Sequence, residues 1–420
     1  MCGICGIVSN TQQSNIKRVE RMTRSMLHRG PDSNGLIELP KVTFGHTRLS
    51  IIDLDTRSNQ PMTDTFGRTI VFNGEIYNYR ELRQVLKSDY PFHTESDTEV
   101  ILAAWNRWGP SCVEYFIGDW AFAIYDSSDG STTLSRDRIG VKPMYYSRYN
   151  GEFIFASEVR ALFEAGIPRT VTADSVSEFI RRGKNELGTS SLIDQVYALS
   201  PAHTITIDRD GHVTENTYWG ESEIFGASVP DNFDDAVEAF GELFTDAVQL
   251  RMHADVPVGI CLSGGLDSSL ITAVAANNQT NPILTFSGIA RGWQGDESRY
   301  SDEVSALHQT SHVCINLGLE DFFKALPRYV SAQEAPAGGV SPVARMLVLE
   351  RAAEDVTVLL DGQGGDELLA GYTRFHDVYR KQWPDKELDI EQRDKKLTSN
   401  IATLSEFESG VLLPHKKLPD

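Results

Sequence analysis

Val256-Pro257-Val258-Gly259-Ile260-Cys261-Leu262-Ser263-Gly264-Gly265-Leu266-Asp267-Ser268-Ser269 carries an apolar run through two glycines into a helix-forming stretch. Residues 256–262 read as a buried strand, and Leu270, Ile271, Ala273 and Val274 as the apolar side of the helix that follows. Gly264 and Gly265 bring backbone N–H groups close to an anion, and the helix N-terminus adds the positive end of its dipole. Ser263, Ser268 and Ser269 add hydroxyl donors. The Gly-Lys-Ser/Thr ending of a Walker A loop is absent. Further strand signals at 283–287, 312–317 and 356–360 alternate with helical stretches. That alternation predicts a parallel, doubly wound α/β sheet. An amphipathic helix precedes it, because Phe233, Ala236, Val237, Phe240, Leu243, Phe244, Ala247 and Val248 recur at spacings of three and four.

Toward the N-terminus the pattern changes. Residues 69–72, 120–125 and 132–134 are compact β-type runs, with Asp129-Gly130 and Asn150-Gly151 as hairpin turns. A helical stretch of mixed polarity lies at 16–27, and 98–108 carries apolar residues at helical spacing. Strands with interspersed helices indicate an α+β domain over 2–210. A polar stretch at 211–232 reads as a linker, and 233–420 as the α/β domain. The 420 residues agree with two or three domains.

Asp plus Glu outnumber Lys plus Arg by 59 to 39, a net charge of −20. Such a surface repels phosphate backbones and anionic lipid, so neither a nucleic acid nor a membrane is an expected partner. The longest apolar run, 120–125, is far short of the roughly 18 residues of a membrane span. The N-terminus has no basic segment followed by an apolar one. Five cysteines in so long a chain make no disulfide framework, and Cys112, Cys261 and Cys314 read as buried thiols. The expected location is the reducing cytoplasm.

Cys2 follows the initiator Met, whose removal would put a thiol and a free α-amine on one residue. An α-amine titrates at about 7.7–8.0 and can serve as base for its own thiol. Cys2 stands with His28-Arg29-Gly30-Pro31-Asp32, with Arg48 in Gly45-His46-Thr47-Arg48-Leu49-Ser50-Ile51, with Asn73-Gly74-Glu75, and with Asp97 in Ser96-Asp97-Thr98-Glu99, a helix N-cap signal. Together with Met1-Cys2-Gly3-Ile4-Cys5-Gly6-Ile7, these stretches resemble the glutaminase domain of class II amidotransferases, which are N-terminal-nucleophile hydrolases. Ser135-Arg136-Asp137-Arg138-Ile139-Gly140-Val141-Lys142-Pro143 narrows the resemblance to the asparagine synthetase family. In the second half, the Ser-Gly-Gly-Leu-Asp-Ser-Ser loop resembles the pyrophosphate loop of ATP pyrophosphatases.

The resemblance implies an αββα glutaminase layer structure followed by a doubly wound ATP-pyrophosphatase domain. It makes Cys2 the nucleophile, with the Asn73 side chain and the Gly74 N–H as oxyanion hole. Arg48 would hold the glutamine carboxylate, and Glu75 and Asp97 its ammonium. Leu262, Ser263, Gly264, Gly265, Leu266, Asp267, Ser268, Gly288, Asp361 and Gly362 would surround ATP. A carboxylate in an anion-binding loop is repelled unless a cation intervenes, so Asp267 and Asp366 are the expected Mg²⁺ ligands. The implied reaction releases ammonia from L-glutamine and transfers it to an adenylated carboxylate, L-aspartate by family default. A homodimer is compatible with this reading.

Two departures stand out. Gln363 lies where the resemblance leads one to expect Glu, and it cannot accept a proton, so any base role there is lost or moved, with Glu367 the candidate to take it. The stretch after Tyr379 is polar, and the family's later motif is not found there. The second domain is therefore expected to be incomplete or completed by a partner. Two other readings follow: an amidotransferase acting on another carboxylate (a sugar acid, a peptide or a natural-product precursor), and a glutaminase or binding protein without synthetase activity. A tRNA-modifying enzyme is disfavoured by the −20 charge.

Overall fold

The structure is a computed structural model that describes residues 1–11, 13–182, 189–225, 228–277, 279, 281–290, 296–336, 339–372, 375 and 381. It divides into two compact units. The first comprises Met1–Ser228 with the described part of Pro327–Gly338, and the second Val229–Leu326 with the described residues from Gly339 onward.

Two antiparallel sheets form the first unit. Its strands are β1 (Gly3–Val8), β2 (Ser33–Glu38), β3 (Val42–Arg48), β4 (Met62–Thr63), β5 (Arg68–Ile76), β6 (Gly118–Asp126), β7 (Ser131–Arg136), β8 (Tyr145–Tyr149), β9 (Glu152–Ala156), β10 (Tyr197–Ala198), β11 (His203–Ile207) and β12 (Val213–Thr217). One sheet runs β10-β8-β9-β1-β3-β2 and the other β12-β11-β7-β6-β5-β4. Helices α1 (Ile16–Ser25) and α4 (Val159–Glu164) cover the first; α2 (Tyr79–Leu86) and α3 (Asp97–Trp108) cover the second; α5 (Ala173–Arg182) and α6 (Glu221–Phe225) complete the unit.

Alternation along each strand distributes side chains between layers. Ile4 and Val8 of β1 join Val71, Ala121 and Ala123 between the sheets, while Cys5 and Ile7 face α1 and α4. Ile70 and Phe72 of β5, with Trp120 and Phe122 of β6, face α2 and α3. The result is the αββα arrangement. Because both faces are covered, these strands read as continuous apolar runs rather than alternating ones. Asn150-Gly151 turns β8 into β9 with φ values of 52° and 79°, as a two-residue hairpin requires.

The stretch 211–232, expected as a linker, holds β12 and α6. β12 pairs with β11 from His203↔Thr217 to Ile207↔Val213. Its residues are mostly exposed, as befits a sheet edge, so the strand carries no strong apolar signal.

The second unit opens with α7 (Phe233–Arg251), whose Asn232 cap accepts from the Asp235 N–H at 2.8 Å. Then come β13 (Val258–Cys261), α8 (Leu266–Asn277), β14 (Leu284–Ile289), α9 (Ser298–His308), β15 (Ser311–Asn316), α10 (Leu319–Gln333), whose residues from Pro327 onward group with the first unit, α11 (Ser341–Ala352), β16 (Val358–Leu360) and α12 (Gly365–Leu369). The four strands are parallel in the order β15-β14-β13-β16. Chain order reverses between β13 and β16, a switch point where open α/β sheets bind ligands beyond their carboxyl ends.

None of the five cysteines forms a disulfide. Cys112 is buried as expected, Cys261 is half-buried, and Cys314 is exposed. The Cys314 expectation fails because β15 is an edge strand. No helix among the described residues is long and apolar enough to cross a membrane.

Candidate functional site

Cys2 immediately precedes β1. Its carbonyl accepts from Arg29 Nε at 2.9 Å. Its thiol lies against Leu49, whose N–H donates to Sγ at 3.4 Å and whose carbonyl accepts from it at 3.6 Å. Burial pushes the Cys2 thiol up, so the neutral form prevails at neutral pH and nucleophilic attack requires a base. Burial likewise pushes the chain's amine, here on Met1, down to about 6. Asp32 braces the turn that carries Arg29, accepting from the Ser50 N–H at 2.7 Å.

One pocket collects Cys2, Arg48, Asn73, Gly74, Glu75 and Asp97, all expected there, with Met1, Ser58, Gln60, Ser96, Thr98 and Lys142. Asn73 is 1% exposed, and neither its Nδ2 nor its Oδ1 has a hydrogen-bond partner. An unpaired buried amide costs about 1–3 kcal/mol, so a site that holds one open is arranged for a ligand oxygen or nitrogen. Gly74 is required by packing, since a Cβ there would lie 2.6 Å from the Phe72 ring.

Arg48 is 4% exposed and also carries a structural load. Its NH1 donates to the Asp55 carbonyl at 2.9 Å and to Asn59 Oδ1 at 2.8 Å, and its NH2 donates to the Asp53 carbonyl. It therefore shapes the loop over the pocket as well as lining it. Gln60 was not foreseen. It donates to Thr98 Oγ1 at 3.1 Å and accepts from the Phe72 N–H at 2.6 Å, fixing β5 beside α3.

Asp97 opens α3 behind the Ser96 cap and accepts from the Ile76 N–H at 3.0 Å. Burial nevertheless pushes its carboxyl up to about 6. A buried acid of this kind is set to receive a cation.

In the second unit, an open cleft of about 960 Å³ lies beyond the carboxyl ends of β13, β14 and β16. It is lined by Leu262, Ser263, Gly265, Leu266, Asp267, Ser268, Gly288, Asp361, Gly362 and Asp366, again as expected. Gly264 does not line it but makes the turn, with φ 84° and Ser301 N 2.6 Å from where a Cβ would sit. The loop is tied to itself: Ser263 and Ser268 hydroxyls are 3.0 Å apart, and Ser268 donates to the Gly265 carbonyl at 3.1 Å.

Burial pushes the Asp267 carboxyl up, and the negative charges of Asp366 and Glu367 push it further. Like charges so arranged favour an intervening cation, and hard carboxylate oxygens suit Mg²⁺. Asp361 pairs with Arg345 at 2.8 Å, a cleft-lining cation without a sequence motif to mark it. Gln363 also lines the cleft, whereas Glu367 does not. Residues 376–380 and 382–420, where the sequence turns polar, lie outside the described residues.

A family model for a glutamine amidotransferase domain matches residues 1–219, and one for asparagine synthase matches residues 239–414. The protein of Methanocaldococcus jannaschii named asparagine synthetase (glutamine-hydrolysing) 2 is 34% identical over 410 residues, which cover 90% of this chain and 77% of that one. Asparagine synthetase (glutamine-hydrolysing) 3 of Bacillus subtilis is 33% identical over 399 residues, 90% of this chain and 64% of its own. Amidase chry2 of Gibberella zeae is 26% identical over 435 residues, 94% of this chain and 63% of its own. The chain thus spans less than two thirds of the last two relatives.

The raised Asp97 pKa has a definite sign. Its folded value of about 6 exceeds the unfolded value of about 3.9. The stability it contributes is present below pH about 4 and lost as pH rises through about 6. Asp97→Asn, which retains an acceptor for Ile76, should therefore gain stability over the parent between pH about 4 and about 7. Urea midpoints of both chains at the two pH values check this; a constant difference would show that Asp97 stays ionised throughout.

Proposed function

Because this chain belongs to the glutamine-hydrolysing asparagine synthetase family, carrying its amidotransferase and synthase domains in that order, we propose that it hydrolyses L-glutamine at Cys2 and uses the ammonia to amidate a carboxylate at the expense of ATP. The observation that carries the first half is the unpartnered Asn73 amide in the pocket that holds Cys2.

With Met1 removed, the Cys2 amine takes the thiol proton as Sγ attacks the side-chain carbonyl carbon of glutamine. Negative charge develops on the carbonyl oxygen, where Asn73 Nδ2 and the Gly74 N–H stabilise it without reorganising. The tetrahedral adduct collapses, the amine returns the proton to the leaving nitrogen, and ammonia departs. Water then hydrolyses the γ-glutamyl thioester to glutamate. Arg48 faces the substrate carboxylate, and Glu75 and Asp97 its ammonium. An ammonium beside Asp97 favours the ionised acid, so glutamine binding below pH about 6 releases a proton and weakens as Asp97 protonates.

In the second unit, the Ser263–Ser268 loop and the start of α8 present donors to the ATP phosphates. Asp267 and Asp366 would hold Mg²⁺, which neutralises phosphate charge when bound. The acceptor carboxylate attacks the α-phosphorus, pyrophosphate leaves, and an acyl-adenylate results. Ammonia then displaces AMP to give the amide. Aspartate is the first acceptor to test. Gln363 in the cleft favours a second reading in which the acceptor is another carboxylate, as do relatives named amidases. ATP–pyrophosphate exchange against a panel of carboxylates separates the two: exchange with aspartate supports asparagine formation, and exchange with other carboxylates alone overturns it.

Cys2→Ala should abolish glutamine-dependent amidation and leave ammonia-dependent amidation intact, because the thiol acts only in hydrolysis. Glutamine hydrolysis at the parental rate would remove Cys2 from the mechanism. For the parent, the glutamine KM should rise as pH falls through about 6. Asp267→Asn should weaken Mg-ATP binding, measured calorimetrically, with glutamine hydrolysis unchanged. If Asp267 only caps α8, the change would be about 1 kcal/mol of stability with nucleotide binding intact.

A further inference from the structure

Behind the Cys2 pocket a chain of charged groups runs from the nucleophile's own carbonyl to a residue more than three hundred positions away. Arg29, which donates to the Cys2 carbonyl, also donates from NH1 to Glu158 Oε1 at 3.0 Å. Both side chains are about nine-tenths buried, with 9% and 10% exposed. Glu158 further receives His28 Nε2 at 2.9 Å and pairs with Arg160 Nε at 3.1 Å. Arg160 Nε donates to Glu334 Oε1 at 2.7 Å, and its NH2 donates to the Ser331 carbonyl. Glu334 belongs to the described part of Pro327–Gly338, which groups with the first unit.

Glu334 does a second thing. Its carboxylate accepts the Val159 N–H at 2.7 Å and the Arg160 N–H at 2.8 Å, the first two amides of α4. Glu158 occupies the N-cap position of that helix, yet its side chain makes no capping bond. The capping acceptor thus comes from Glu334, and Glu158 is left facing Arg29. Glu334 holds this place with φ 56°, a left-handed conformation uncommon for a residue with a long side chain.

We propose that Glu334 is a positioning residue of the Cys2 centre, acting through Arg160, Glu158 and Arg29 on the Cys2 carbonyl. The inference rests on the glutaminase reading of that centre. Without Glu334, the first amides of α4 lack their acceptor, and Glu158 is the carboxylate beside them in the N-cap position. Drawn there, Glu158 releases Arg29, and Cys2 loses the anchor that sets the direction of its Sγ and amine relative to Asn73. A displacement of about 1 Å at reacting atoms can cost about 100-fold in rate. The residues facing the unreacting end of glutamine, Arg48, Glu75 and Asp97, take no part in this chain of contacts. The loss therefore falls on kcat rather than KM.

The test is steady-state glutamine hydrolysis by the full chain and its Glu334→Gln, Glu334→Asp and Arg160→Lys variants. Glu334→Gln, which leaves a single acceptor oxygen for the two α4 amides and no charge for Arg160, is expected to lower kcat by about 10- to 100-fold with KM changed less than about twofold. Glu334→Asp, which keeps the charge, should recover part of the loss. Arg160→Lys should lower kcat in the same way, and the double variant should fall no further than the worse single one, because both break one path. Parental kcat in Glu334→Gln overturns the proposal, as does a loss matched by the fraction of unfolded chain or an equal rise in KM. If Glu334→Gln does not fold, the kcat of Arg160→Lys decides alone. A parental chain that leaves glutamine intact overturns this inference and the glutaminase reading together; parental hydrolysis with an unaffected Glu334→Gln overturns only this one.

Discussion

A buried amide with nothing to bond is the constraint around which the first unit is organised. Asn73 lies in the middle of β5, shut away from water, with both polar ends of its side chain unpaired. Closing the side chain onto a neighbour would recover about 1–3 kcal/mol. It is held open because β5 is locked on one edge by β6 over nine residue pairs and at Phe72 by Gln60. Layers of side chains on both faces leave the backbone no freedom to turn. The same burial that makes Asn73 costly raises the Cys2 thiol and the Asp97 carboxyl. A buried, preorganised pocket penalises an unpaired polar group until a ligand pairs it, and fixed dipoles in such a pocket act strongly on developing charge.

The second unit applies the same physics with opposite sign. Its loops offer donors for an anion, yet Asp267 and Asp366 stand among them, and their mutual repulsion is relieved by a proton or by a cation between them. Strand order places both loops at one end of the sheet, so the site follows from topology before any side chain is considered. The Asp361–Arg345 pair then tethers the second loop to α11.

The sequence was legible where local chemistry dictated the outcome. The β13–α8 turn, the Asn150-Gly151 hairpin and the apolar strand cores announce themselves by composition, and the Cys2, Asn73 and Asp97 stretches carry motifs dense enough to name a family. What could not be read is non-local. β12 is an exposed edge strand, stabilised by its partner rather than by its own residues. Cys314 sits in an apolar-looking run, yet among the described residues its strand has a neighbour on one side only. Arg345 and Glu334 have no signature, because their roles come from residues that the fold brings to them.

Whether Cys2 is a glutamine-directed nucleophile decides the proposed function. The direct measurement is intact-protein and peptide mass spectrometry after treatment with an electrophilic chloroketone or diazoketone analogue of glutamine. One adduct on Cys2, suppressed by excess glutamine and slowed in Asn73→Ala, is the predicted result. Labelling confined to the exposed Cys314, or labelling of Cys2 that glutamine does not suppress, would contradict it.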